Sequence, residues 1–311
     1  MFKVIFSILL FLKICLLHAA NYEFTYKVEI FKPSHLKNMR VWVPFPTENH
    51  EQKVTLKKIK SEFPYQLMSE EKYGNRMLFL KVPKNISFPL QFQATFQVER
   101  HVGKPTPLSK LTENNYWNPR KYLGMDKNVP IHGIIEKLAN EQTQMIKDPN
   151  KKIRKMYEYV VDTMTYSKEG KGWGEGNAIW ACSAKRGNCT DFHSLFIGMA
   201  RSQNIPARFE IGFPIPQSGQ GLITGYHCWA RVYSQTQGWM PLDASEAKKE
   251  GKKFEYFGNI PDNRIHFTTG RDLVLNPPQK SKPLNYFIYP YIEVNGKPYL
   301  NYKKEFYVKS L

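Results

Sequence analysis

Two periods of apolar residues divide this chain. Between Asn21 and about His101 apolar and polar positions alternate, as in Tyr22-Glu23-Phe24-Thr25-Tyr26-Lys27-Val28-Glu29-Ile30 and Leu90-Gln91-Phe92-Gln93-Ala94-Thr95-Phe96-Gln97-Val98. A period of two buries one face of a strand, so residues 21–103 are expected to form an antiparallel β domain. A polar stretch holding Pro105 and Pro107 closes it. Beyond that the period lengthens. Ile131, Ile134, Ile135, Leu138 and Ala139 stand three and four apart, as do Ile153, Met156, Tyr157, Val160, Val161 and Met164. Both runs predict helices, and Asp148 followed by Pro149 marks the start of the second. A third stripe, Phe192, Leu195, Phe196, Met199 and Ala200, predicts a helix from about Thr190 to Ser202. The pattern thus reads as an α+β chain with a linker and helix over 104–150 and a core over 151–275. A C-terminal β hairpin extension over 276–311 follows, turning at Asn295-Gly296.

The first twenty residues follow neither pattern. Lys3, an apolar run from Val4 to Leu17 interrupted by Lys13, and the small pair Ala19-Ala20 have the layout of a secretory signal peptide, 1–20, cut near Ala20. An exported protein, periplasmic or secreted, is therefore expected, with Cys15 discarded. The chain carries 45 Lys and Arg against 27 Asp and Glu, a net charge of +18, but its lysines are scattered. That describes a solvated basic surface able to attract anionic envelope polymers, with no block suited to a specific nucleic-acid site.

Candidate chemistry centres on Cys189, at the start of the third helix. Unpaired N–H groups and the positive end of the helix dipole there favour a thiolate and can also bind an oxyanion. Position alone leaves a structural cysteine equally good. Further on, Gly225–Tyr233 reads as a strand with His227, Trp229, Arg231 and Tyr233 on one face and Cys228, Ala230 and Val232 on the other. Residues 234–238 form a turn, and Trp239–Ala244 begin the return strand, with Pro241 marking an edge. A hairpin centred on Gln235 sets His227 opposite Asp243, their Cβ atoms about 4.5–5.5 Å apart. A carboxylate there would fix the imidazole tautomer.

The other residues around these three are read as follows. In an exported chain Cys182, Cys189 and Cys228 are an odd number, and a Cys182–Cys228 disulfide would leave Cys189 free; separate buried thiols are an equally simple arrangement. The paired short spacings of a structural zinc site are missing, so no metal and no cofactor are expected. His193 reads as a partly exposed helix-face histidine, and Arg208 with Asp191 as an ion pair or as solvated charges.

Four segments, in this order and spacing, resemble the transglutaminase-like superfamily: Gly187-Asn188-Cys189-Thr190-Asp191-Phe192, residues 200–208, His227-Cys228-Trp229-Ala230 and Gly238-Trp239-Met240-Pro241-Leu242-Asp243. The resemblance spans about Ile153 to Ala247, and residues 263–272 are similar to exported bacterial members. It implies a papain-like core with Cys189 as nucleophile, His227 as general base and Asp243 as its orienter. Acyl transfer on an amide or peptide bond through a thioester follows, with hydrolysis favoured over amine crosslinking. It also implies an upstream side-chain oxyanion donor, for which Trp173, among glycines, and Trp180, more suited to the core, are the candidates. Protein, peptide or peptidoglycan-type amides would be the substrates. The alternative from another class is a non-catalytic binding or scaffold protein of the cell envelope.

Overall fold

The computed structural model describes residues 19–83, 85–111 and 115–311. The expected signal peptide, Cys15 included, lies outside the described residues except for its last two positions. Six strands come first: β1 (Ala20–Ile30), β2 (Met39–Pro44), β3 (Gln52–Ser61), β4 (Tyr65–Ser69), β5 (Arg76–Val82) and β6 (Leu90–Arg100). The central region carries α1 (Ile134–Thr143), α2 (Pro149–Thr163), β7 (Thr165–Tyr166), α3 (Ala178–Ala184), β8 (Arg186–Gly187) and α4 (Cys189–Ser202). It continues with β9 (Ala207–Pro214), β10 (Gln220–Leu222), β11 (His227–Ser234), β12 (Gly238–Leu242), α5 (Ala244–Glu250) and β13 (Arg264–Thr269). The last strands are β14 (Tyr291–Val294), β15 (Lys297–Pro298) and β16 (Tyr302–Ser310).

The alternation along β1 and β6 is the alternation of burial: Tyr22, Phe24, Tyr26, Val28 and Ile30 are all buried. These strands lie in a five-stranded sheet of order β10-β16-β1-β6-β3, and a second runs β15-β14-β2-β5-β4. The expected turn at Asn295-Gly296 is present, with φ of +53° and +78° at its two residues. Its strands do not form a separate extension, however. β14 pairs with β2 and β16 with β1, so the C-terminal segment covers edges that the N-terminal strands would otherwise leave open.

The helices pack as their stripes require. Asp148 caps α2 by accepting the Asn150 N–H at 2.8 Å, with Pro149 in the first helical position. α4 is different, because every residue from Cys189 to Arg201 is buried. It is enclosed by α1, α2, α3 and α5 and lies against β9 and β11 of a four-stranded antiparallel sheet, β12-β11-β9-β13. Aromatic packing joins this sheet to the first one, with Phe24 of β1 5.3 Å from the rings of both Phe213 and Phe267.

Candidate functional site

The chain enters α4 through a tight passage. Gly187 has φ +148°, and a Cβ there would lie 2.4 Å from Asp191 Oδ2, so only glycine fits. Asn188 is the N-cap: its Oδ1 accepts the Thr190 N–H at 2.9 Å while Asp191 Oδ2 accepts the Asn188 N–H at 2.9 Å. Cys189 is thereby fixed as the first residue of the helix, where its backbone N–H has no partner within the helix. Asp191 also accepts N–H groups from Gly174 at 2.7 Å and Gly176 at 3.0 Å, which holds the glycine-rich loop beside the helix start. Arg271 secures the same loop through the carbonyls of Gly176 and Glu175 and through Ser194 of α4. Asp191 therefore does not pair with Arg208, whose guanidinium lies 2.5 Å from Glu210 instead.

His227 and Asp243 meet, but by a different route from the one expected. β11 pairs with β12 as Ala230↔Leu242 through Ser234↔Gly238, a register centred on Thr236, two residues away from the assumed pairing. The shift is even, so every side chain keeps its face. β12 ends at Leu242 on the edge of the sheet, and Asp243 becomes the N-cap of α5. That turn carries its Oδ2 to 2.6 Å from His227 Nε2, which leaves Nδ1 for the thiol of Cys189. Arg264 Nη1 of β13 lies 2.5 Å from the same oxygen, while Oδ1 accepts from the Ser245 hydroxyl at 2.9 Å and the Glu246 N–H at 3.0 Å. Arg264 was not singled out from the sequence, although it falls in the segment 263–272.

His193 is buried, not exposed at a helix face as its position suggested. Its Nε2 accepts the Ala244 N–H at 3.1 Å, so the proton sits on Nδ1 and is donated to the Cys189 carbonyl at 2.7 Å. One neutral imidazole thus ties the first turn of α4 to the first residue of α5. The signal that could have found it was the i to i+4 spacing from Cys189 on a helix with no solvent face.

The buried groups shift one another. Burial pushes the Cys189 thiol up, but hydrogen bonding with Cys228 and His227 and the positive field of His227 outweigh it, so its pKa falls well below the ordinary value. Burial pushes His227 down, yet the Asp243 carboxylate beside it raises it to about 9. Asp243 is itself held well below the usual range, because His227 and Arg264 overcome its desolvation. The combination favours a thiolate beside an imidazolium at neutral pH.

Of the other expected residues, Cys182, Trp173 and Trp180 take no part in this centre, whereas Cys228 borders it. Cys182 and Cys228 are free buried thiols and are not joined. Cys182 packs within α3, whereas Cys228 Sγ lies 3.8 Å from Thr190 Oγ1 and 3.7 Å from His193 Nδ1. Trp180 packs under Gly172 and the Arg186 guanidinium, and Trp173 is half-buried in the glycine-rich loop. Neither indole takes part in the hydrogen bonds that surround Cys189 among the described residues.

Comparison with known proteins places this geometry. Residues 136–244 match the family model of the transglutaminase-like superfamily, a span that holds Cys189, His193, His227 and Asp243 and stops short of Arg264. An uncharacterised protein of Haemophilus influenzae is 26% identical over 322 residues, covering 89% of this chain and 86% of its own length. Among solved structures, a candidate cysteine protease of Cytophaga hutchinsonii superposes with a TM-score of 0.59 at 16% identity, over 94% of this chain and 91% of that one. The periplasmic domain of TgpA from Pseudomonas aeruginosa gives 0.40 at 14% identity, over 74% and 92%.

Proposed function

Starting from a chain with a transglutaminase-like core, we propose that it is an exported cysteine-dependent enzyme that cleaves an amide or peptide bond through a Cys189-His227-Asp243 triad. The observation that carries this reading is the 2.6 Å contact of Asp243 with His227 Nε2, which leaves Nδ1 free of that carboxylate to serve a thiol at the first position of a helix. The Cys189 thiolate attacks the carbonyl carbon, and the carbonyl oxygen takes the negative charge next to the orphan Cys189 N–H. The imidazolium of His227 gives its Nδ1 proton to the departing nitrogen, the C–N bond breaks, and a thioester remains on Cys189. His227, now neutral, takes a proton from water, whose oxygen attacks the thioester, and the thiolate is released with the acid. Asp243 holds the ring and stabilises its cationic form, and Arg264 holds Asp243. His193 acts as a positioning residue that keeps α5, and with it Asp243, against the turn bearing Cys189.

Water as acceptor gives a hydrolase and an amine gives a crosslinker. Hydrolysis is favoured because Cys189 and His227 are 3% and 5% exposed, leaving small room for a bulky amine at the thioester. The test compares ammonia or amine release with incorporation of a labelled primary amine, using Cys189→Ala as blank. Product release without incorporation is expected, and amine incorporation faster than release would reverse the assignment. Peptides and peptidoglycan-type amides are the substrates to try first, and a preparation active on neither would move the reading toward an envelope-binding scaffold.

A further inference from the structure

The catalytic reading leaves one part of the oxyanion site unassigned, since a tetrahedral oxyanion is held best by two donors and the Cys189 N–H supplies one. The hydrogen bonds around Asn188 and Thr190 indicate where the second lies. Asn188 Oδ1 is used by the Thr190 N–H, so its Nδ2 is the atom that donates to the Tyr226 hydroxyl oxygen, at 3.3 Å. Thr190 Oγ1 lies 3.1 Å from the Tyr226 oxygen, and either hydroxyl can donate there. With Thr190 as the donor, Tyr226 accepts from both residues that flank Cys189, and its own phenolic proton is left to give. Its remaining neighbour, the Tyr286 hydroxyl, is 3.5 Å away and donates to the Gly174 carbonyl at 3.4 Å. A contact that long is weak and easily replaced by a substrate oxygen. Tyr226 as a whole is half-buried.

Resting on the acyl-transfer reading of Cys189, we propose that the Tyr226 hydroxyl is the second oxyanion donor, a catalytic residue in the place expected for Trp173 or Trp180. Two donors into its oxygen polarise the O–H bond and strengthen it as a donor. Burial pushes the hydroxyl pKa up and the charge at Cys189 adds to it, so the proton is retained at any working pH. In the attack step Tyr226 donates to the developing oxyanion without giving up its proton, and the bond lapses when the carbonyl re-forms.

The experiment separates this role from that of the nucleophile by using two reactions of the same sulfur in the full chain. Acylation by p-nitrophenyl acetate passes through an oxyanion, whereas alkylation by iodoacetamide does not. Tyr226→Phe should lower the acylation rate constant about 100-fold while leaving alkylation within about twofold. Equal losses in both reactions would mean that Tyr226 only holds Asn188 and Thr190 in place, and an unchanged acylation rate would remove it from the oxyanion site; either result overturns the proposal. Cys189→Ala is run alongside. If that variant is acylated as fast as the parent, the nucleophile assignment itself has failed, a result distinct from failure at Tyr226. Tyr286→Phe keeps both donors into Tyr226 and should change acylation by less than about threefold.

Discussion

Two buried charged clusters stand in a row on one face of β11, and they differ in what their charges can do. His227 opens the first, with Asp243, Arg264 and the Cys189 thiol. Trp229 and Arg231 begin the second: the Trp229 indole N–H donates to Glu210 at 2.6 Å, and Arg231 bonds Glu210 at 3.0 Å and Glu51 at 2.5 Å. Arg100 adds a 3.0 Å bond to Glu51. Both clusters are dry, dense and hydrogen-bonded, so burial alone does not distinguish chemistry from architecture. The second is built of guanidinium and carboxylate groups, whose charges stay fixed near neutral pH: Glu210 is held far below the usual carboxylate range and Arg231 is pushed further up. The first contains a thiol pushed down and an imidazole pushed up, a pair whose proton can sit on either group. It also lies beside Tyr226, which is half-buried. What distinguishes the candidate site is charge that can move.

The largest test of this contrast is Cys189→Ala, which should lower amide cleavage by at least about 1,000-fold with an unchanged far-ultraviolet circular dichroism spectrum. Residual activity within tenfold would place the chemistry elsewhere. Arg231→Met should act on the other axis. It leaves Glu51 and Glu210 short of a partner and should cost about 3–5 kcal/mol in denaturant unfolding, while the alkylation rate of the folded protein stays near that of the parent. A variant that keeps its stability and loses reactivity would join the two clusters into one functional unit.

Asp243→Asn is expected to have a smaller effect. Asparagine still caps α5, but without the carboxylate the burial of His227 prevails and its pKa falls below the ordinary value, so the thiolate loses its cationic partner. Alkylation at pH 7 should slow about 10- to 100-fold, and a change under twofold would argue against Asp243 as the group that sets His227.

The mildest test is pH. Between pH 6.5 and about 9 the folded chain keeps the proton on His227 that the unfolded chain has lost, which lowers stability as pH rises. Over the same window the folded chain has already lost the Cys189 proton that the unfolded chain retains, which raises stability by the same slope. The two effects cancel in the parent. In Cys189→Ala only the first remains, so the parent should gain on the variant by about 1.4 kcal/mol per pH unit, read from unfolding curves at pH 7 and 8. Parallel curves would mean either that the thiol is protonated in the folded state or that His227, whose pKa Cys189 helps to raise, loses its proton in the variant. Iodoacetamide labelling gives a second reading: the rate should be flat from pH 7 to 8, where an ordinary thiol gains about tenfold.

Much of this organisation was legible along the chain. Period-two runs located β1 and β6, the longer stripes located α1, α2 and α4, and Asp148-Pro149 set the start of α2. Local rules suffice there because each element buries the face that its own sequence makes apolar. The same reasoning placed Cys189 at a helix start and His227 and Asp243 within one hairpin. It mistook the register, since a turn over residues 234–238 fits a loop centred on Gln235 or on Thr236, and only packing of α5 decides that Asp243 leaves the ladder to become a cap.

What the sequence determined by itself, then, is the set of elements and the three residue types brought to one end of one hairpin and one helix. Tertiary structure alone decided the rest. His193 is buried because α4 is surrounded on all sides, a condition set by four other helices and a sheet. Arg264 reaches Asp243 because β13 adds to the far side of β9, and Tyr226 reaches Asn188 and Thr190 because β11 runs past the start of α4. Each of these contacts joins residues more than twenty positions apart, or from different elements, and no local period records them. Those contacts set the field around the Cys189 sulfur.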